Sequence, residues 1–111
     1  MHGAWLKAGA HLDLVGAYNL RMREADDEAL RRALVYVDTQ AARTEGGDVA
    51  LALQSGTIPE SHVRGDLAGL CRGSAPGRSD AEAITVFKSV GTAIEDLASA
   101  MLVWRTLGRT S

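Results

Sequence analysis

At 111 residues the chain has room for one domain with a small core, and 46% hydrophobic against 23% charged residues is an ordinary balance for a soluble globular protein. A net charge of −2 with mixed signs excludes the basic stripe a nucleic-acid groove needs, and no apolar run reaches the length of a membrane span. The single cysteine, Cys71, excludes an internal disulfide, and His2, His11, His62 and Cys71 lack the spacing of metal ligands.

Residues 1–5 carry neither the charged start nor the apolar core of a signal peptide, which together with one free thiol points to the cytoplasm. Residues 5–7 read as the tail of a preceding element, ended by Gly9. Residues 11–17 alternate and end in glycine, the pattern of a strand. Residues 24–33 are rich in helix formers and acidic at their start, where carboxylates complement the helix dipole. Residues 34–38 form the clearest strand. Residues 41–55 read as one helix or two short ones, interrupted at Glu45, Gly46, Gly47 and Asp48, with Gly56 as cap. Residues 63–71 read as a short helix with Val63, Leu67 and Leu70 inward, and residues 72–79 as a loop by composition.

The chain is organised around residues 84–98. Residues 84–87 are a β-branched and aromatic run that suits a buried strand, within a strand-and-turn unit spanning 83–91. Gly91 permits a sharp turn, Thr92 and Glu95 fit a capping box, and Ile94, Leu97, Met101 and Trp104 give the closing helix over 92–108 a core face. Three strands alternating with helices imply parallel pairing and right-handed crossovers. The expected fold is α/β: a three-layer partial Rossmann-like arrangement with a short parallel sheet and a long C-terminal helix. No Gly-x-Gly-x-x-Gly follows a strand, so the half that cradles pyrophosphate in a dinucleotide fold is not in this sequence.

Parallel pairing would bring Gly16-Ala17-Tyr18, Asp38-Thr39-Gln40 and Lys88-Ser89-Val90-Gly91 to one sheet edge. Small residues there would let a flat ring approach the backbone, or they are turn chemistry with no ligand. Lys88 reads equally as an anion contact or a surface lysine. Glu45 and Asp48 fit a polar, helix-capping turn better than an acid–base pair. Arg23, Glu24, Asp26, Asp27 and Glu28 read as a dipole-compensated helix start. His11 and His62 show no partner and read as structural or exposed. Trp104 with Met101 reads as core.

These residues carry a resemblance. Gly9-Ala10-His11-Leu12-Asp13-Leu14-Val15-Gly16-Ala17, Arg23-Glu24-Ala25-Asp26, Val35-Tyr36-Val37-Asp38, Glu45-Gly46-Gly47-Asp48 and Gly77-Arg78-Ser79 occur in order, followed by the most specific stretch, residues 84–98. In these the chain resembles the C-terminal part of the ornithine cyclodeaminase/μ-crystallin family, which includes archaeal-type alanine dehydrogenases and imine (ketimine) reductases. The resemblance implies homodimers that bind NAD or NADP in a Rossmann-like domain and act on an amino acid or cyclic imino acid. It implies that residues 1–111 are the second half of that nucleotide domain, with a closing helix that returns toward a dimerisation domain. It places Val15, Gly16, Ala17 and Ser89 at the nicotinamide.

Two departures follow from the same resemblance. The phosphate loop and the Lys and Arg that hold substrate would lie upstream, so the chain alone is expected to be catalytically inactive and to bind NAD(P)H weakly or not at all. Tyr18 stands where the cyclodeaminase and alanine dehydrogenase subgroups carry an acid–base Asp. A phenol with an ordinary pKa of ~10 is a poor base at neutral pH, which favours an imine-reducing relative over a cyclodeaminase. The rival expectation is a non-catalytic α/β module, with no cofactor, that self-associates through an exposed strand edge and apolar surface.

Overall fold

Strand alternation from Ile84 to Lys88 sends Ile84, Val86 and Lys88 to one face and Thr85 and Phe87 to the other, and the whole sheet is built on that division. The computed structural model describes residues 1–16, 19–75, 77–78, 80–90 and 93–108. Its elements run β1 (His11–Leu14), α1 (Asp27–Arg32), β2 (Ala33–Val37), α2 (Gly47–Gln54), β3 (Val63–Asp66), α3 (Leu67–Arg72), β4 (Ile84–Lys88) and α4 (Ala93–Gly108), with single 3-10 turns at Gly3–Trp5, Gln40–Arg43 and Glu60–His62. The sheet has four strands in the order β1-β4-β2-β3, every pair parallel.

Register aligns Ala33 with Ile84, Val35 with Val86, and both Val37 and Leu14 with Lys88. The apolar members of this face meet Ala29 and Leu30 of α1 and Val49 and Ala52 of α2 in one buried core. On the opposite face, His11, Thr85, Phe87 and Tyr36 line a groove of about 410 Å³ with Leu67 and Leu70 of α3. Helices therefore lie on both faces, and the expected three-layer α/β architecture is present.

Three boundaries and one expected buried face differ from the sequence reading. The first strand stops at Leu14 instead of residue 17, because the Gly16 N–H turns away to the Glu24 carboxylate at 2.6 Å. The helix expected from residue 24 begins at Asp27, because the N–H groups of Glu24 and Ala25 are taken by Asp48. Residues 63–66 are a fourth strand, not the start of a helix. Val63 is buried beside Val35, and Gly65, lacking a Cβ, lets Ala75 close over the strand. Asp66 then caps α3 by accepting the Gly69 N–H at 2.8 Å. Finally, the described part of the expected core face of the last helix is not core: Leu97, Met101 and Trp104 are exposed, Trp104 by 78%, while the Ile94 side chain lies outside the described residues. The capping residue Thr92 and the Gly91 turn lie outside the described residues.

The acidic run read as a dipole-compensated helix start does open α1, with Asp27 and Glu28 in its first turn, and Asp26 goes further by capping it. Asp26 accepts the Ala29 N–H at 2.9 Å and, through the same oxygen, the Gly3 N–H at 2.8 Å, which docks the Gly3–Trp5 turn on α1. Asp26→Ala should lower unfolding stability by about 1 kcal/mol in a urea titration, the usual worth of an N-cap side chain. Acid should act on the same groups. N–H donors from Ala29 and Gly3 hold Asp26 below the ordinary carboxylate value, Arg23 does so for Asp27, and the Gly69 N–H and Gln40 do so for Asp66. A depressed folded pKa means the unfolded chain binds more protons. The stabilisation is therefore whole above the ordinary value of 3.8 and lost as pH falls through the lower folded values. The melting temperature should drop between about pH 5 and about pH 3, and a flat profile there would refute the assignment.

Candidate functional site

The shared register brings the carboxyl ends of the strands level: Leu14, Lys88, Val37 and Asp66 are successive partners across the sheet. Beyond them the loops interlock. The Ser89 N–H donates to the Leu14 carbonyl at 2.9 Å, and the Asp38 N–H donates to the Lys88 carbonyl at 3.1 Å. The buried Asp38 carboxylate accepts the Val90 N–H at 3.1 Å and the Thr39 N–H at 2.8 Å. Of the three segments expected to meet at one edge, 38–40 and 88–90 are thus joined directly, and the strand leading into the first meets them through Leu14. Val15 is 60% exposed, Gly16 is exposed and Ser89 is half-buried. Ala17 and Tyr18 lie outside the described residues. A cleft of about 600 Å³, lined by Asn19, Leu20, Arg21, Thr44 and Glu45, opens beside these loops.

Beneath the loops sits a charged cluster. Lys88 occupies a core-face position of β4 and is fully buried, so it is not a surface lysine; the anions it contacts are carboxylates of its own chain. Its amine lies 3.4 Å from Asp48 Oδ2 and 3.8 Å from Glu24 Oε1. Asp48, also fully buried, uses Oδ1 to accept the N–H groups of Glu24 at 2.8 Å and Ala25 at 2.9 Å. Asp48 is therefore a capping group, as the polar-turn reading had it, but it closes the chain before α1 and not its own helix, whose cap is Gly46. Glu45 is exposed and does not pair with it. The glycine pair makes the packing possible: a Cβ on Gly46 would lie 3.1 Å from Lys88 Cε, and one on Gly47 would run into the carbonyls of Met22 and Asn19.

The histidines have partners that sequence alone did not show. His11 Nδ1 is 2.7 Å from Thr85 Oγ1, and His62 Nε2 is 2.6 Å from the Leu30 carbonyl. No group of three or more His, Cys, Asp or Glu suited to a metal occurs among the described residues. The burial of Lys88 was available from alternation, since Ile84, Val86 and Lys88 share a face. The Asp48 contact was not, because its partners lie 23 and 24 positions away.

The model of the ornithine cyclodeaminase/mu-crystallin family matches residues 1–110. The chain belongs to this family. Among its members, mouse ketimine reductase mu-crystallin is 43% identical over 105 residues, 94% of this chain and 31% of that protein. The Thermococcus litoralis Delta(1)-pyrroline-2-carboxylate reductase, solved with NADH and L-proline, superposes with a TM-score of 0.86 at 36% identity, covering 95% of this chain and 33% of that one. An archaeal alanine dehydrogenase dimer with bound NAD gives 0.85 at 30% identity, covering 100% and 35%. The family chain described here thus spans about a third of the length of these relatives, and its α/β fold is that of NAD-binding oxidoreductases.

Proposed function

We propose that this chain forms the nicotinamide end of an NAD(P) site in an enzyme that reduces a cyclic imino acid, with residues 15–17 and Ser89 lining the ring. One observation carries the reading: the Ser89 N–H on the Leu14 carbonyl fixes the β4 turn against the loop after β1. An exposed Val15 side chain and an exposed, side-chain-free Gly16 there suit a flat ring laid on backbone. Bound NAD(P)H supplies the hydride that reduces the imine carbon. The imine nitrogen also takes a proton, and Tyr18, a phenol in place of the carboxylate of related subgroups, suits a donor better than a base.

The test is consumption of NADH or NADPH with Δ1-pyrroline-2-carboxylate by the native gene product purified from its source cells. Turnover is expected there, and none from the 111-residue chain alone. In the active protein Tyr18→Phe should lower kcat about a hundredfold, the low end for loss of a general acid. An unchanged kcat would remove Tyr18 from the mechanism. NADH should bind the isolated chain with millimolar affinity, shifting the amide resonances of Gly16 and Ser89.

A second reading is supported by the exposed apolar side chains of α4 and by β1 standing at the sheet edge. On this reading the chain associates with a second copy of itself. Light scattering should then give a mass of two chains or more, and a monomer at all concentrations would reject it.

A further inference from the structure

Residue 24 is held at both ends. Its backbone N–H is fixed by the buried Asp48 carboxylate, and its own carboxylate reaches the buried Lys88 amine at 3.8 Å. The same carboxylate oxygen accepts the Gly16 N–H at 2.6 Å. Gly16 is shaped for that approach: an added Cβ would lie 3.0 to 3.3 Å from all three atoms of the carboxylate group. Glu24 thus spans from a charge inside the core to a peptide group on the exposed loop after β1. The Lys88 amine, fully buried and making no hydrogen bond among the described residues, holds both carboxylates by charge alone. The Asp48 pair is buried at both ends and screened far less than a surface pair; the Glu24 pair is buried at the amine and 40% exposed at the carboxylate, and so is screened less than a surface pair but more than the other.

We infer that Glu24 is a positioning residue for the cofactor loop: tethered by Lys88, it fixes the Gly16 peptide in the place the nicotinamide must find. This rests on the reading of residues 15–17 and Ser89 as the nicotinamide end. A preorganised loop spends no binding energy on ordering, so loss of the strut should weaken the cofactor without touching it. It also accounts for two features at once, the missing side chain at residue 16 and a lysine on the core face of β4.

The experiment uses the 111-residue chain labelled with nitrogen-15, with NADH as the probe. Glu24→Ala removes the acceptor, Glu24→Asp keeps the charge but shortens the reach, and Glu24→Gln restores an acceptor of full length. Alanine and aspartate variants should speed hydrogen exchange at the Gly16 amide about tenfold and weaken the NADH-induced shift of Gly16 by a similar factor. The core amides of Val35 and Val86 should keep their wild-type exchange rates, and glutamine, which keeps an acceptor of full length but loses the charge that Lys88 holds, should recover only part of both effects. Gly16 exchange and NADH affinity within twofold of wild type in both shortened variants would overturn the inference, as would a rise in exchange shared equally by the core. If the alanine variant does not fold, the aspartate and glutamine pair decides by the same comparison. Failure of the underlying reading has its own signature: a folded wild-type chain whose Gly16 and Ser89 resonances do not move with millimolar NADH.

Discussion

Lys88→Met is expected to destabilise the fold by about 3–5 kcal/mol, the cost of removing one partner from a buried ion pair. Methionine replaces most of the lysine stem, so little packing is lost with the charge. What remains is the Asp48 carboxylate, fully buried and satisfied on one oxygen only, by the N–H groups of Glu24 and Ala25. Glu24, whose side chain is 40% exposed, has water as an alternative to Lys88, and Asp48 does not. A small domain has about 5–15 kcal/mol of stability in all, so the single substitution removes a large share of it. Urea titration followed by far-ultraviolet dichroism measures the loss. The double variant Lys88→Met/Asp48→Asn should be less destabilised than Lys88→Met, because asparagine keeps an acceptor for the two N–H groups without leaving a buried charge. A loss below about 1 kcal/mol in the single variant would show that water reaches the cluster and that the pair behaves as a surface one.

The same cluster marks where sequence reading works and where it stops. Elements defined by their own periodicity were legible: residues 34–38, residues 84–87 and the parallel pairing that sets the strand ends at one edge; the acidic start of α1 was legible as a helix start, though not its cap. So was the family, through residues 84–98. Boundaries decided by a distant side chain were not. The first strand ends early because Gly16 bonds to Glu24, and α1 starts late because Asp48 claims two N–H groups from another helix. Residues 63–66 carry a single β-branched side chain and no alternation, so their pairing with β2 became visible only in three dimensions. The last helix shows the opposite limit. Its apolar spacing is genuine, but spacing reports a face that wants a partner and does not say which element supplies it; here Leu97, Met101 and Trp104 remain exposed. That the carboxyl ends of the strands lie level at one edge was legible from the alternation of strands and helices. The charged support under it was not, apart from the period-two hint at Lys88.

Among the described glycines, Gly47→Ala should be the most damaging addition of a methyl group. The added Cβ would enter the Met22 carbonyl oxygen and come within 2.6 Å of the Asn19 carbonyl oxygen, both backbone atoms with no rotamer to yield. The loop they belong to is not free to retreat as a unit. The Met22 N–H closes a turn on the Asn19 carbonyl at 3.2 Å, and Asp48, the residue next to Gly47, grips Glu24 and Ala25. Overpacking of this kind costs about 1–3 kcal/mol, and contact with backbone on a pinned loop puts the expected value at the upper end. Gly77→Ala is the control: nothing lies within 4 Å of its added Cβ, and its effect should stay within about 0.5 kcal/mol. Comparing the two by urea titration separates a steric cause from the general cost of losing a glycine. Because residues 19–22 lead directly into Glu24, the strain should also reach the Gly16 amide, which would exchange faster in Gly47→Ala and not in Gly77→Ala. Equal stability of the two variants would mean that the loop moves freely, and the account of Gly46 and Gly47 as the space in which Lys88 and the loop pack would fail with it.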